Sequence, residues 1–476
     1  MTANIPEGEM SHILYPSLCE IVGDKYVADS GFAVWAYAKD SSGFPPRVPG
    51  IVVRPGTTEE VSQIVKLANR ERVPVIPRGG GCQYGGWPPG EPGKSICVDL
   101  TRMRKVLDVN EINKTVTVEA GISATELETR MREKRFCVHS IMSPADSVTV
   151  GGAICGESGA GGGMESSAVG QNWPFIVGLK VVIPNGDIIE TGTRTNSLSK
   201  MYCRAAHGPD LTGLFIGSMG IFGIVTEATM QISALQPYAT DGSIAFDYDK
   251  LDDAHRALTS LSSHEPKLCS SVVLVGSGPA SPKEQEWGLV YRVMGYTEEE
   301  VNQKLDAINR IVKEVAPSNK GPTRRSEKIA KVFITAGHDS RHDFGMWFFI
   351  EFMCPRDESL RVFKATFERL KKELSGWEGR VRLYASSLFV MADVDYVSYP
   401  GYFDLTDIEA RDKALSLWKY IVDLVMGMGM NLVILNKDLG DICARYFPPE
   451  YNSLLRALKS ALDPNNIMNP HMLLLP

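Results

Sequence analysis

Three separated glycine-rich segments carry the most chemical promise in this chain: Pro77-Arg78-Gly79-Gly80-Gly81-Cys82-Gln83, Thr149-Val150-Gly151-Gly152 running on to Gly163, and Gly217-Ser218-Met219-Gly220-Ile221-Phe222-Gly223. Glycine leaves backbone N–H groups open to a phosphate with no side chain between, so such runs after buried strands are candidates for an anion or dinucleotide site. One loop alone is an ordinary turn signal, and the competing reading is that the glycines only punctuate a strand-rich domain.

The loops need strands to hold them. Val73-Pro74-Val75-Ile76-Pro77 is a short apolar strand entering the first loop, and Ile224-Val225-Thr226-Glu227-Ala228-Thr229-Met230 leaves the third as an alternating strand. Residues 115–121 and 178–187 read as further strands, the second closed by an Asn-Gly turn. Amphipathic helices are expected over 58–70, where Val61, Ile64, Val65 and Ala68 recur at helical spacing, and over 124–134. From Pro237 the texture changes: 251–261, 298–315, 358–374 and 414–426 read as helices, and 270–275, 287–293 and 344–352 as strands. That alternation predicts an antiparallel sheet covered by helices, and the fold class is α+β.

The ordered motifs carry a resemblance. Pro-Arg-Gly-Gly-Gly, Val-Asp-Leu-Thr-Arg-Met at 98–103, Val-Glu-Ala-Gly at 118–121, Thr-Val-Gly-Gly at 149–152 and Gly-Ser-Met-Gly-Ile-Phe-Gly-Ile-Val-Thr-Glu at 217–227 together resemble the FAD-binding domain of the vanillyl-alcohol oxidase/p-cresol methylhydroxylase superfamily. Within it the chain looks most like the D-lactate dehydrogenase and glycolate oxidase flavoproteins, and Leu-Asp-Pro-Asn-Asn-Ile-Met-Asn-Pro at 462–470 matches the C-terminal signature. The resemblance implies an FAD-binding domain over 1–235, a substrate or cap domain over 236–430 and a segment, 431–476, that returns to the FAD domain. It implies that Pro77 and the amides of Gly79, Gly80, Gly81, Cys82 and Gln83 face the FAD pyrophosphate, with Arg78 either a phosphate partner or part of a structural ion pair. It also carries over Pro144, Ser147, Thr149, Gly151, Gly152, Gly156, Ser158 and Gly159 as contacts to the flavin and its phosphates, Ile224 and Val225 near the adenine end, and Asn469 from the returning segment.

Cys82 stands where other members of the superfamily have a histidine bonded to the flavin; a thiol that fills a tight turn beside non-covalent FAD is the favoured reading. Val169-Gly170 departs from the aromatic-glycine pair of many relatives. The hydroxy-acid branch grips its substrate through a metal held by two histidine-rich segments, and neither is present: Ile434-Leu435-Asn436-Lys437-Asp438-Leu439-Gly440 occupies the place of the second. No metal is therefore expected. His338 and His342 are candidate bases for a hydroxyl proton, although a surface pair explains them as well. Tyr384, Tyr396, Tyr399 and Tyr402 form an aromatic-rich stretch, and with Lys437 and Arg445 they could line a substrate pocket, as tyrosines and an arginine do in phenol-oxidising relatives; packing is the commoner use of tyrosine.

Bulk properties fit an enzyme of two domains: 476 residues carry a net charge of -7 and no basic run that would neutralise nucleic acid. No apolar stretch is long enough for a membrane span and residues 1–9 lack a signal-peptide core, so the expected location is cytoplasmic. Nine cysteines without a Cys-x-x-Cys pair disfavour an iron–sulfur cluster, so electrons leaving the flavin must pass to oxygen, a quinone, a cytochrome or an electron-transfer flavoprotein. The expected reaction is oxidation of an alcohol or hydroxy-acid C–H on a small-molecule substrate by hydride transfer to flavin N5. The rivals are a phenolic or benzylic oxidoreductase and a non-catalytic flavin-binding electron-transfer subunit. A homodimer is left open.

Overall fold

Local sequence rules set most elements of the computed structural model, which describes residues 9–40, 42, 44–82, 92–138, 146–156, 175–205, 208–279, 286–323, 326, 346–383, 385–391, 394–432 and 439–472. Thr57 caps the helix Thr58–Glu71 by accepting from the Glu60 amide at 3.1 Å, and the Glu60 carboxylate reaches back to the Gly56 amide at 2.6 Å. Val61, Ile64, Val65 and Ala68 bury one stripe, and Arg72 in left-handed conformation (φ 55°) ends the helix. Helix 408–427 begins six residues before the expected start, because Asp407 caps it through the Ala410 amide and Ala410 is already buried. Two long helices had no sequence expectation, Glu9–Val22 and Pro449–Leu462, nor did the short helices Gly31–Trp35, Val150–Gly156, Thr212–Phe215 and Gly440–Ala444.

The described strands form three sheets. In the first, Val27–Ala28 lies antiparallel to Ile51–Val53, which runs parallel to Ile96–Asp99, itself parallel to Val75–Arg78. Its core is closed by Leu14 and Leu18 from one helix and Val61, Ile64 and Val65 from another. The second sheet is antiparallel, in the order Val106–Asn110, Thr115–Glu119, Ile224–Ala234, Ile176–Val182, Ile188–Glu190, with Phe136–Val138 also on Ile224–Ala234. Asn185-Gly186 makes the expected turn, with Gly186 at φ 85°.

The third sheet has eight antiparallel strands and begins at Tyr238, close to the change of texture near Pro237. Helices Leu251–Ser262, Glu298–Val315, Ser359–Glu373 and Ile408–Gly427 contribute apolar side chains to one core with it. The chain thus has the α+β architecture, helices over antiparallel sheets, that its patterning predicts. Tyr399 is a core residue here: its hydroxyl lies 2.7 Å from Thr366 Oγ1 and donates to the Phe363 carbonyl at 3.1 Å, and burial pushes its pKa well above the usual tyrosine value. Tyr396 reaches the core of the second sheet, so this strand ties the two halves together.

Candidate active site

The first two sheets bring all three glycine loops to one cleft of about 940 Å³, counting its open mouth. Pro77, Arg78, Gly79, Gly80, Gly81 and Cys82 form one wall; Val148, Thr149, Gly151, Gly152, Cys155 and Gly156 the second; Met219, Gly220, Gly223, Ile224 and Val225 the third; Asp40 and Leu100 complete the lining. The walls touch through backbone. A Cβ on Gly79 would lie 2.1 Å from Thr149 Oγ1, and one on Gly80 would lie 1.6 Å from the Ser147 carbonyl oxygen. Gly220, at φ 75°, would put its Cβ 2.6 Å from the Pro77 ring. No side chain fits at these crossings.

The neighbouring motifs lock the same walls. Gly121 passes so close to Leu100 that a Cβ would sit 1.8 Å from the Leu100 oxygen, and the Gly151 amide donates to the Ala120 carbonyl at 2.7 Å. Thr149 Oγ1 accepts from the Gly152 amide at 3.2 Å, which turns the chain into the helix Val150–Gly156. Asp99, almost fully buried, accepts from Tyr37 Oη at 2.6 Å, Arg54 Nε at 3.0 Å and the Thr101 amide at 2.8 Å. Arg78 donates to the Lys39 carbonyl at 3.0 Å and stands over the Tyr37 ring. That contact fixes the guanidinium beside Gly81 (φ 70°), where an added Cβ would lie 2.1 Å from an Arg78 terminal nitrogen.

This cleft fits a flavin dinucleotide on its own geometry. No backbone bond within the described residues claims the amides of Gly80 or Gly81, so the loop offers donors to an anion where added side chains would fill the space. Cys82 packs on Ala124, Val148 and Ala153. The Cys155 thiol, also lining the cleft, is pushed up to about 12 by burial and stays neutral.

Of the residues singled out in the sequence, the cleft gathers Pro77 through Cys82, Thr149, Gly151, Gly152, Gly156, Ile224 and Val225. Ser147 touches it through its carbonyl against Gly80, and Asn469 lies buried behind it, donating through Nδ2 to the Met219 carbonyl. Arg445 is exposed and pairs with Asp423 at 2.9 Å, on the helix Ile408–Gly427 of the cap. Gln83, Pro144, Ser158, Gly159, His338, His342, Tyr384 and Lys437 lie outside the described residues. Leu100, Cys155, Met219, Gly220 and Gly223 also line the cleft and stood in motifs already noted without being assigned a contact, whereas Asp40 and Val148 were not foreseen, and Asp40 carries no local signal. Among the described residues no three His, Cys, Asp or Glu side chains converge as metal ligands would.

A cleft of three glycine loops between two small sheets, beside a domain of one large antiparallel sheet, defines a two-domain FAD-binding fold of the p-cresol methylhydroxylase type. Comparison with known proteins agrees: residues 49–192 match the family described as FAD binding domain, and residues 438–473 the family described as FAD linked oxidases, C-terminal domain. The chain thus carries an FAD-binding domain and the C-terminal domain of FAD linked oxidases, and its cofactor is FAD. It is 30% identical over 245 residues to glycolate oxidase subunit GlcD of Bacillus subtilis, covering 51% of this chain and 49% of that one. It is 26% identical over 462 residues to the mitochondrial D-lactate dehydrogenase [cytochrome] of Arabidopsis thaliana, covering 90% and 74%. The match thus spans about half the length of the first relative and three quarters of the second. In structure it is similar to p-cresol methylhydroxylase with substrate bound (TM-score 0.82, 19% identity, 99% and 98% covered) and to 4-ethylphenol oxidase from Gulosibacter chungangensis in an isoeugenol complex (TM-score 0.82, 19% identity, 97% and 97% covered).

Proposed function

We propose that the protein oxidises an alcohol or hydroxy-acid C–H bond on a small molecule, without a metal, and passes the electrons to an external acceptor. The observation that carries this is the convergence of three glycine loops, with amides left open, in a chain whose two matched segments are an FAD-binding domain and the C-terminal domain of FAD linked oxidases. Bound FAD supplies the hydride acceptor, at its N5. The chain's own part is to bind and orient: the amides of Gly79, Gly80, Gly81, Cys82 and Gln83 hold the pyrophosphate, the turn around Thr149, Gly151 and Gly152 supports the flavin, and Ile224 and Val225 pack the adenine end. The hydroxyl proton would go to His338 or His342, the candidate bases, while Tyr384 and Lys437 are candidates to line the substrate pocket. Arg445, engaged with Asp423, is the weaker candidate for holding a substrate anion.

The names of the curated relatives, a glycolate oxidase subunit and a D-lactate dehydrogenase, support a hydroxy acid as substrate. Those of the structural neighbours, which act on alkylphenols, support the second reading, a phenolic or benzylic substrate. The domain division near 235 and 430 belongs to this proposal, with the cap sheet beginning at Tyr238 in its favour. So does a cytoplasmic location: none of the nine cysteines forms a disulfide, and no described helix is long and apolar enough to cross a membrane.

The test is the visible spectrum of the purified protein, then anaerobic mixing with 2-hydroxy acids, primary alcohols and 4-alkylphenols. Bleaching of the flavin bands by a hydroxy acid or alcohol, undiminished by a chelator, is the expected result. Bleaching by alkylphenols alone selects the second reading. Flavin that no small molecule reduces selects an electron-transfer subunit, which oxidises nothing itself.

A further inference from the structure

The helix Pro449–Leu462 ends in a buried ion pair far in sequence from the glycine loops yet bonded to one of them. Lys459 and Asp463 are 4% and 2% exposed. Lys459 Nζ donates to Asp463 Oδ2 at 2.6 Å, to the Met468 carbonyl at 2.6 Å and to the Ile221 carbonyl at 3.0 Å, so its three protons are all engaged. Asp463 accepts in turn from the amides of Ile467 at 3.0 Å and Met468 at 2.7 Å. The segment so folded runs beside the strand Val75–Arg78: the Val75 amide donates to the Ile467 carbonyl at 2.7 Å, and the Asn469 amide to the Val75 carbonyl at 2.9 Å. Asn469 Nδ2 then donates to the Met219 carbonyl.

Residues 467–469 therefore grip two walls of the cofactor cleft at once, the strand that feeds Gly79–Gly81 and the loop Met219–Gly223. We propose that Lys459 and Asp463 are positioning residues for FAD: their ion pair docks the C-terminal segment as a brace across the two loops, and docking of that segment and binding of FAD are energetically coupled. The inference rests on the FAD assignment and adds to it a part of the chain that touches the cofactor cleft only through other residues. Coupling of this kind is reciprocal, so a loosened brace weakens FAD and bound FAD tightens the brace.

The experiment compares wild type, K459M, K459M/D463L and, as a control of lowered stability away from the brace, Phe363→Ala in the core of the third sheet. FAD affinity is titrated by flavin fluorescence, melting is followed on each apoprotein, and amide exchange over residues 463–472 is measured with and without FAD. Removing one partner of a buried pair strands the other charge, whereas removing both restores much of the stability but none of the bonds to Ile221 and Met468. The expected result is FAD binding weakened about tenfold or more in both Lys459 variants, including the double variant whose melting recovers, with Phe363→Ala near wild type. In wild type, FAD slows exchange in 463–472. Wild-type affinity in K459M, equal weakening in Phe363→Ala, or exchange in 463–472 indifferent to FAD would each overturn the proposal. Should K459M not fold, the wild-type exchange result decides alone. A wild type that binds no FAD would instead bring down the cofactor assignment, and the inference with it.

Discussion

The two halves of the molecule are built from opposite materials. The cofactor half makes its cleft from backbone: the walls meet at Gly79, Gly80, Gly121, Gly151 and Gly220, where an added carbon would overlap a neighbour. The cap makes its core from large side chains, with Trp287 edge-on to Phe363 at 5.7 Å between ring centroids and Phe363 stacked on Tyr399 at 5.7 Å. An interior of interlocked rings resists losing atoms, and a cleft of crossing backbones resists gaining them. Errors in the first show as instability and errors in the second as lost cofactor.

That contrast can be broken at four points. The largest effect is expected from Gly80→Leu, whose Cβ would fall 1.6 Å from the Ser147 oxygen. It should abolish FAD retention, read as flavin absorbance per chain after gel filtration; stoichiometric flavin in this variant would sink the cradle. Next, Phe363→Ala should cost about 3–5 kcal/mol in denaturant unfolding, because the ring is fully buried, while the native fraction keeps its FAD. Flavin loss in step with the cap lesion would erase the distinction between the halves.

A third effect is pH-dependent. Burial holds His255 of the cap down to about 4, with Asp252 opposing and Lys364 adding to that shift, while its Nε2 lies 2.8 Å from Ser359 Oγ. Below its ordinary value near 6.5 the unfolded chain gains a proton that the folded chain refuses until about pH 4. Stability therefore falls as pH drops through that window, by up to about 3 kcal/mol, and is fully present above it. His255→Gln should flatten this slope in urea titrations between those pH values. The smallest effect is Thr57→Ala, which removes a helix cap at the surface of the cofactor half: about 1 kcal/mol of stability, with FAD affinity unchanged.

The same contrast explains what could be read from the sequence. Gly79, Gly80 and Gly220 announce themselves because close backbone approach admits one residue type, so the motif and the geometry are the same fact. Helices 251–262 and 298–315 were legible from apolar residues at helical spacing, Ala254, Ala257, Leu258 and Leu261 in the first. Asp40 was not legible, since only the fold brings it to the cleft. Nor was the Lys459–Asp463 pair, which at i, i+4 near a helix end looks like an ordinary solvated pair until the loop at Ile221 covers it. The substrate side offered only tyrosines and histidines without an order in the sequence, because they share no one motif, and His338, His342 and Tyr384 lie outside the described residues.

The first glycine loop is made well before its brace. While a ribosome is still extending the chain, Val75 and the Met219–Gly223 loop lack the partners that Ile467, Met468 and Asn469 give them. A chain broken off between Gly223 and Ile467 carries every glycine of the cradle and none of the clamp. On the proposed coupling, such a chain should hold its flavin less tightly than one whose translation reached Asn469.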